Sequence, residues 1–418
     1  MARVLITGMG TLCPLGADTN SAFNAALAGL CAIRPAQPDI AKWLPQGLVA
    51  PAAAEPDLLL DKKYAAIDRA TQLALVAVQE AMSEANFGAL PEDSERVGVY
   101  AGIGFGGAQT VDTLYQRFYT SVANAANEKR NPVVMHPLSV PRMMANAPAA
   151  MVSMHYGLNG PSHTYSVACA SSAVAIGEAF RAIRDGYLDA AVVIGTEAML
   201  TPGSMLAWNA LRVMAKPDVH DLSHSCRPFA KNRTGFVLGE GAGAIVLESE
   251  ARAKARGQEV LGELCGYGCS SDANHLTAPS VVQQVRAMRQ AIEEADLMPA
   301  QIQYLNAHGT ATEVGDVVET QSIRTVFGAA AEKLMISSTK SMHGHLIGAS
   351  GIVEFIISVM AMNRGAIPPT ATLDVADPKC DLDYVPLTAR FDCAINAVMS
   401  NSFAFGGSNV SLVARRYA

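Results

Sequence analysis

The sequence predicts an α/β fold of layered sheets and helices, and three observations carry that expectation. Predicted strands alternate with predicted helices along nearly the whole chain, the rhythm of α/β layers with mostly parallel pairing. The strands read as continuous apolar runs, so both of their faces are covered. Only 17% of the 418 residues are charged and 50% are hydrophobic, against roughly 25% charged in an average globular protein. Little surface is therefore exposed per residue, as expected for buried helices and a further surface buried in an oligomer.

Taken in order, residues 3–7 form a first strand, which Pro14 and Gly16 follow closely. Residues 67–85 have helical periodicity and residues 96–101 read as a strand. Residues 124–137 give no regular signal. A strand then ends near Cys169, and a helix runs to about Arg184, where Asp185-Gly186 stops it. Residues 190–194 and 242–247 are strands, and the charged stretch 248–259 is a helix and turn. The second half repeats the rhythm. Strand 264–270 leads to helix 282–295, strand 302–307, helix 316–327, strand 334–337 and helix 351–362. Segments 394–401 and 408–415 close the chain as strands. The longest strongly apolar run, 352–362, contains Glu354 and suits a buried helix. No linker rich in Pro, Gly or Ser separates the halves, so residues 1–255 and 256–418 are expected to share one interface.

Several function classes drop out. Disorder needs low hydrophobicity and high charge, the reverse of what is found. No run of 18 apolar residues is present, so no membrane span is expected, and the N-terminal apolar run suits a strand better than a signal peptide. A net charge of −7 argues against nucleic acid as a partner. The eight cysteines form no CxxC pair, so reduced thiols in the cytoplasm are expected. His343-Gly344-His345 is too tight for the usual helical zinc spacing, and no metal is expected.

Four segments could carry chemistry. Ser166 to Ser172 places Cys169 where a strand turns into a helix. Free N–H groups and the helix dipole favour a thiolate there, and one such N–H can stabilise an oxyanion. A buried inert cysteine is the alternative reading of that residue alone. Asn306 to Thr312, with His308, and Lys340 to Gly351, with His345, are polar loops at predicted strand ends, where active-site residues of α/β proteins gather. Asn401 to Asn409 is a glycine-rich loop without the lysine or spacing of a P-loop, which leaves a gate or an oxyanion donor.

These four segments, in this order, resemble the β-ketoacyl-ACP synthases with a Cys-His-His site. Arg227-Pro228-Phe229, the run Gly235 to Gly243, the opening Val4 to Gly10 and the turn Gly157 to Pro161 match the same family. The resemblance spans residues 3–415. It implies a thiolase-like fold, two similar halves in a five-layered αβαβα sandwich, acting as a dimer. It also implies roles. Cys169 takes an acyl group from acyl carrier protein. His308 and His345 promote decarboxylation of malonyl-ACP, Lys340 supports the histidines, and Glu319 is its acidic partner. The N–H groups of Cys169 and Phe405 form the oxyanion hole, and Phe405 is the gate. No organic cofactor or catalytic metal is implied. Lys62, Lys63, Arg69, Lys129, Arg130 and Arg212 fall where the family meets its carrier protein, although each alone reads as a solvated charge. His343 and His275 receive no catalytic role.

The chain also departs from the family pattern. Phe105 stands in the acyl-pocket loop where long-chain synthases carry a smaller residue, and Ser139 stands where they often carry an aromatic. Ala404 replaces a glycine before the gate, which restricts the backbone there. The resemblance implies 3-oxoacyl-ACP synthesis in fatty acid elongation. The alternative is a ketosynthase of an aryl-polyene or type II polyketide pathway, paired with a related chain as a heterodimer. A non-catalytic partner subunit is disfavoured because Cys169, His308 and His345 are all present.

Overall fold

The computed structural model describes residues 2–88, 93–128 and 135–418. In the first half, β1 is Val4–Leu12, β2 Val97–Gly102, β3 Ser162–Tyr165, β4 Ala190–Glu197 and β5 Gly241–Ser249. In the second, β6 is Gly262–Ser271, β7 Tyr304–Asn306, β8 Met335–Ser337, β9 Ala397–Phe403 and β10 Ser408–Arg415. They form one hydrogen-bonded sheet in the order β8-β7-β9-β10-β6-β1-β5-β4-β2-β3. Read outward from the central β6–β1 contact, each half runs through its first, fifth, fourth, second and third strand. The two halves are therefore copies of one topology. Their join is short: Val4, Leu5 and Ile6 pair antiparallel with Leu264, Glu263 and Gly262.

The helices complete the layers. They are α1 (Arg69–Glu84), α2 (Ala147–Tyr156), α3 (Ser171–Arg184), α4 (Val281–Glu294), α5 (Gly315–Phe327) and α6 (Ser350–Arg364). α3 and α6 contact strands of both halves and each other, so they form the middle layer. α1 and α2 cover the outside of the first half, and α4, with α5 beside it, covers the second. Asp68 starts α1 by accepting the N–H of Ala70, an N-cap that satisfies one of the free donors of the first turn. The window Ile347–Arg364 has a mean hydropathy of 1.3 and is long enough for a membrane span, but 89% of it is buried among these layers. Its apolar character is explained by burial between the two halves of the sheet.

Two expectations need correction. The sheet is mixed and not mostly parallel: β2–β3, β2–β4, β7–β8 and β7–β9 are parallel, and the remaining five pairings are antiparallel. A strand buried on both faces is apolar throughout in either arrangement, so composition does not report direction. The helix Ala108–Glu128 falls where no element was expected before residue 124. Tyr115, Tyr119 and Val122 lie exposed on it.

The middle layer is close-packed against the sheet. A Cβ on Gly177 of α3 would lie 2.4 Å from the ring of Tyr267 on β6, whose hydroxyl donates to Glu178 at 3.1 Å. Gly177→Ala should lower stability by about 1–3 kcal/mol through overpacking, measurable by urea denaturation.

Candidate active site

Cys169 sits in the single turn Ala168–Ala170 that opens α3. Ala168 has φ of 48°, a left-handed value that is strained for a residue with a Cβ. Ser171 clamps the turn: its Oγ accepts the N–H of Val167 at 2.9 Å and donates to the carbonyl of Ala168 at 2.7 Å. The second half repeats this device. The turn Ile347–Ala349 opens α6, Ile347 has φ of 47°, and Ser350 Oγ accepts the N–H of Leu346 at 2.9 Å. The two turns meet in the middle layer, which brings Cys169 to His345.

The two ring nitrogens of His345 have different duties. Nδ1 lies 3.2 Å from the N–H of Ile347, a group that only donates, so Nδ1 accepts and Nε2 carries the proton. Ser350 Oγ lies 2.9 Å from the same Nδ1. Nε2 is 3.0 Å from Cys169 Sγ. His345 thus presents a donor toward the nucleophile and is not arranged to take its proton. His308 stands edge-on to His345, ring centroids 5.5 Å apart. Its Nδ1 is buried without a hydrogen-bond partner among the described residues. Ligand-type atoms of Cys169, His308 and His345 all lie within 4.8 Å of one another.

Lys340 is fully buried and pairs with Glu354 of α6 at 2.5 Å. Glu319 was expected to be its acidic partner. Instead its carboxylate accepts the N–H of His308 at 2.9 Å and of Gly309 at 2.7 Å, and so holds the histidine turn. Glu354 is the acid that sequence reasoning missed; its signal was a lone carboxylate in the most apolar run of the chain. Burial raises the Glu354 carboxyl to about 7 against the pull of Lys340. Burial, reinforced by the charge of Lys340, holds His308 and His345 well below the ordinary imidazole range, so both are neutral at pH 7. Burial pushes the Cys169 thiol up to about 12, opposed by Lys340 and by the N–H groups of Phe405 and Cys169. Those two N–H groups therefore converge on the sulphur.

Phe405 follows β9 in a turn closed by the N–H of Ala404 on the carbonyl of Ser408 at 2.8 Å. Its half-buried ring stacks on Trp208 at 6.2 Å. A cavity of 1160 Å³ reaches Cys169, His308, His345 and Phe405, and Arg212 and Lys216 also line it. Phe105 and Ser139 do not line that cavity. Phe105 is 61% exposed, and buried Ser139 donates to the carbonyl of His136 at 2.7 Å. Among the expected carrier-protein contacts, Lys62, Lys63 and Arg212 are exposed. Arg69 is instead committed inward, donating to Glu240 at 2.7 and 2.9 Å and to Glu55 at 2.6 Å. Lys129 and Arg130 lie outside the described residues.

Comparison with known proteins follows the same division of the chain. Residues 1–253 match the family "Beta-ketoacyl synthase, N-terminal domain". Residues 261–374 match "Beta-ketoacyl synthase, C-terminal domain". The 3-oxoacyl-[acyl-carrier-protein] synthase 2 of Staphylococcus aureus (strain COL) is 38% identical over 426 residues, covering 99% of this chain and 98% of the relative. Among solved structures, the ishigamide ketosynthase/chain length factor superposes with a TM-score of 0.88 at 30% identity, covering both chains fully. A type II polyketide ketosynthase in complex with its acyl carrier protein and bound to the hexaketide superposes with a TM-score of 0.89 at 26% identity, again over both full chains.

The buried Lys340–Glu354 pair gives a stability test. Lys340→Met leaves the Glu354 carboxylate buried without its cation and should cost about 3–5 kcal/mol. Lys340→Met combined with Glu354→Leu should recover most of that loss. Both are read from chemical denaturation midpoints.

Proposed function

We propose, because this chain belongs to the β-ketoacyl synthase family, that it is a 3-oxoacyl-[acyl-carrier-protein] synthase of fatty acid elongation. The observation that carries the reading is the set of Cys169, His345 and His308 around one cavity, with His345 held as a donor toward the sulphur. Acyl-ACP enters that cavity. The sulphur of Cys169 attacks the thioester carbonyl, the carbonyl-to-pantetheine C–S bond breaks, and the thiol proton leaves with the released carrier thiol. The N–H groups of Cys169 and Phe405 donate to the transient oxyanion. His308, which lies beside the sulphur and is not held as a donor toward it, is the group free to pass the proton.

Malonyl-ACP then occupies the same cavity. Its carboxylate leaves as CO₂ when the carbon–carbon bond breaks, and the electron pair moves onto the thioester oxygen as an enolate. Neutral imidazoles that donate N–H groups stabilise that oxygen without holding a charge of their own. The enolate carbon attacks the Cys169 thioester. Collapse of the tetrahedral intermediate yields 3-oxoacyl-ACP and a Cys169 thiolate, which takes up one proton. Lys340 and Glu319 act through the histidines, Lys340 by its field and Glu319 by holding the His308 turn. These steps use only side chains and backbone of this chain.

Exposed Lys62, Lys63 and Arg212 suit an acidic carrier protein, and Lys216 lines the cavity together with Arg212. The division at residues 255 and 256, a cytoplasmic setting with reduced thiols, and a dimer belong to the same proposal. Phe105, Leu138, Val140 and Met144 are exposed apolar residues, and β3 is an unpaired edge with Ser162 and His163 exposed. A second copy on this face would supply the missing wall around Phe105. A polyketide or polyene role with a chain-length-factor partner is the second reading, favoured by the likeness to the ishigamide ketosynthase/chain length factor.

Cys169→Ala should abolish the acyl adduct seen by mass spectrometry; an adduct on the variant refutes the nucleophile. His345→Ala should slow CO₂ release from malonyl-ACP by about 10²–10³. A panel of acyl-ACP primers from short to long, read by product mass, separates the two pathways: saturated elongation supports the first, and repeated condensation needing a related chain supports the second. Phe105→Gly should broaden the range of primers accepted.

A further inference from the structure

Glu197, the last residue of β4, is fully buried and makes bonds that no step above uses. Its Oε2 accepts the N–H of Gly104 at 2.7 Å and the N–H of Gly348 at 3.1 Å, and its Oε1 accepts the N–H of Phe105 at 3.4 Å. Gly104 and Phe105 open the loop after β2. Gly348 belongs to the other half, in the turn whose Ile347 N–H fixes the tautomer of His345. One carboxylate thus spans the loop that carries Phe105 and the turn that orients the donor histidine.

The internal repeat shows what is unusual here. In the second half, Glu319 holds two successive N–H groups after β7, those of His308 and Gly309. In the first half, Glu197 holds two successive N–H groups after β2, those of Gly104 and Phe105. Only Glu197 also crosses to the opposite half. The packing around it is tight: a Cβ on Gly104 would lie 2.5 Å from Glu197 Oε2 and 2.9 Å from Ile347 Cγ2, and one on Gly348 would lie 2.8 Å from the same oxygen. Burial raises the carboxyl to about 8, and the three N–H groups pull it back down. Its charge also raises the Cys169 thiol, which places it within electrostatic reach of the nucleophile.

We propose that Glu197 is a positioning residue that ties the Phe105 loop to the His345 turn, so that the loop and the decarboxylation donor move as one unit. The inference deepens the ketosynthase reading and rests on it. Its physical content is that three N–H donors converge on one acceptor group. An apolar side chain in its place offers no acceptor, which releases both the Phe105 loop and the histidine turn.

The test is Glu197→Leu in the full chain. Malonyl-ACP decarboxylation should fall about tenfold in kcat with KM little changed, the size expected when a reacting group is displaced by a fraction of an ångström. Acylation of Cys169 by acyl-ACP should stay within about twofold. In ¹⁵N-histidine spectra without substrate, His345 should lose the pattern of a single Nε2–H tautomer. Decarboxylation at the wild-type rate, an equal loss of both half-reactions, or an unchanged His345 spectrum would overturn the proposal. Gly104→Ala strains the same contact from the loop side and should give the same pattern; if the leucine variant does not fold, this variant decides by the same criteria. Wild-type acylation and CO₂ release in the same series test the ketosynthase reading, and the ligand-free spectra test Glu197 independently of it.

Discussion

The charge on Lys340 is the constraint around which the site is organised. Removing an ammonium and a carboxylate from water is costly, and their attraction offsets that cost only in close, well-satisfied geometry. Lys340 and Glu354 meet at 2.5 Å inside the middle layer. From there one positive charge acts on three groups at once. It lowers both imidazoles and opposes the burial that protects the thiol. The surrounding helices and strands have to keep water out for that field to persist, which accounts for the unbroken burial of residues 350–362 in α6.

The second organising fact is repetition. Each half ends its third strand, makes one strained turn and starts a middle-layer helix whose first serine accepts an N–H from the residue before the turn. By that register, Cys169 corresponds to Gly348 and His345 to Ser166. The same local geometry serves a nucleophile in one half and a donor-orienting turn in the other. Strain at Ala168 and at Ile347 persists because close packing on both sides over-determines the backbone. The buried glutamates Glu197 and Glu319 are the corresponding braces after the second strands.

Much of this was legible in the sequence, and the reasons are physical. Cys169, His308 and His345 stood out because glycine, polar residues and strand ends mark places where backbone approaches a ligand. The α3 and α6 positions followed from long helical runs with clear stops. What stayed hidden depended on distance in space. Glu319 was matched to Lys340, while the ion pair falls to Glu354, because pairing is decided by which carboxylate shares the dry middle layer. Arg69 read as a surface cation, yet Glu240, distant in sequence, draws it inward. Strand direction was misread because burial on both faces removes the alternation that would have revealed it. Phe105 and Ser139 were placed on a pocket wall, yet neither lines the cavity that reaches Cys169.

The short join between the halves has a consequence for how the chain becomes competent. Three residue pairs of β1 and β6 connect the two halves of the sheet, and α3 and α6 pack between them. The nucleophile belongs to one half and both histidines to the other. A chain with only one half formed carries a thiol without its donors, or donors without a thiol. The Cys169–His308–His345 cluster therefore forms only once the long-range assembly of the two halves is complete.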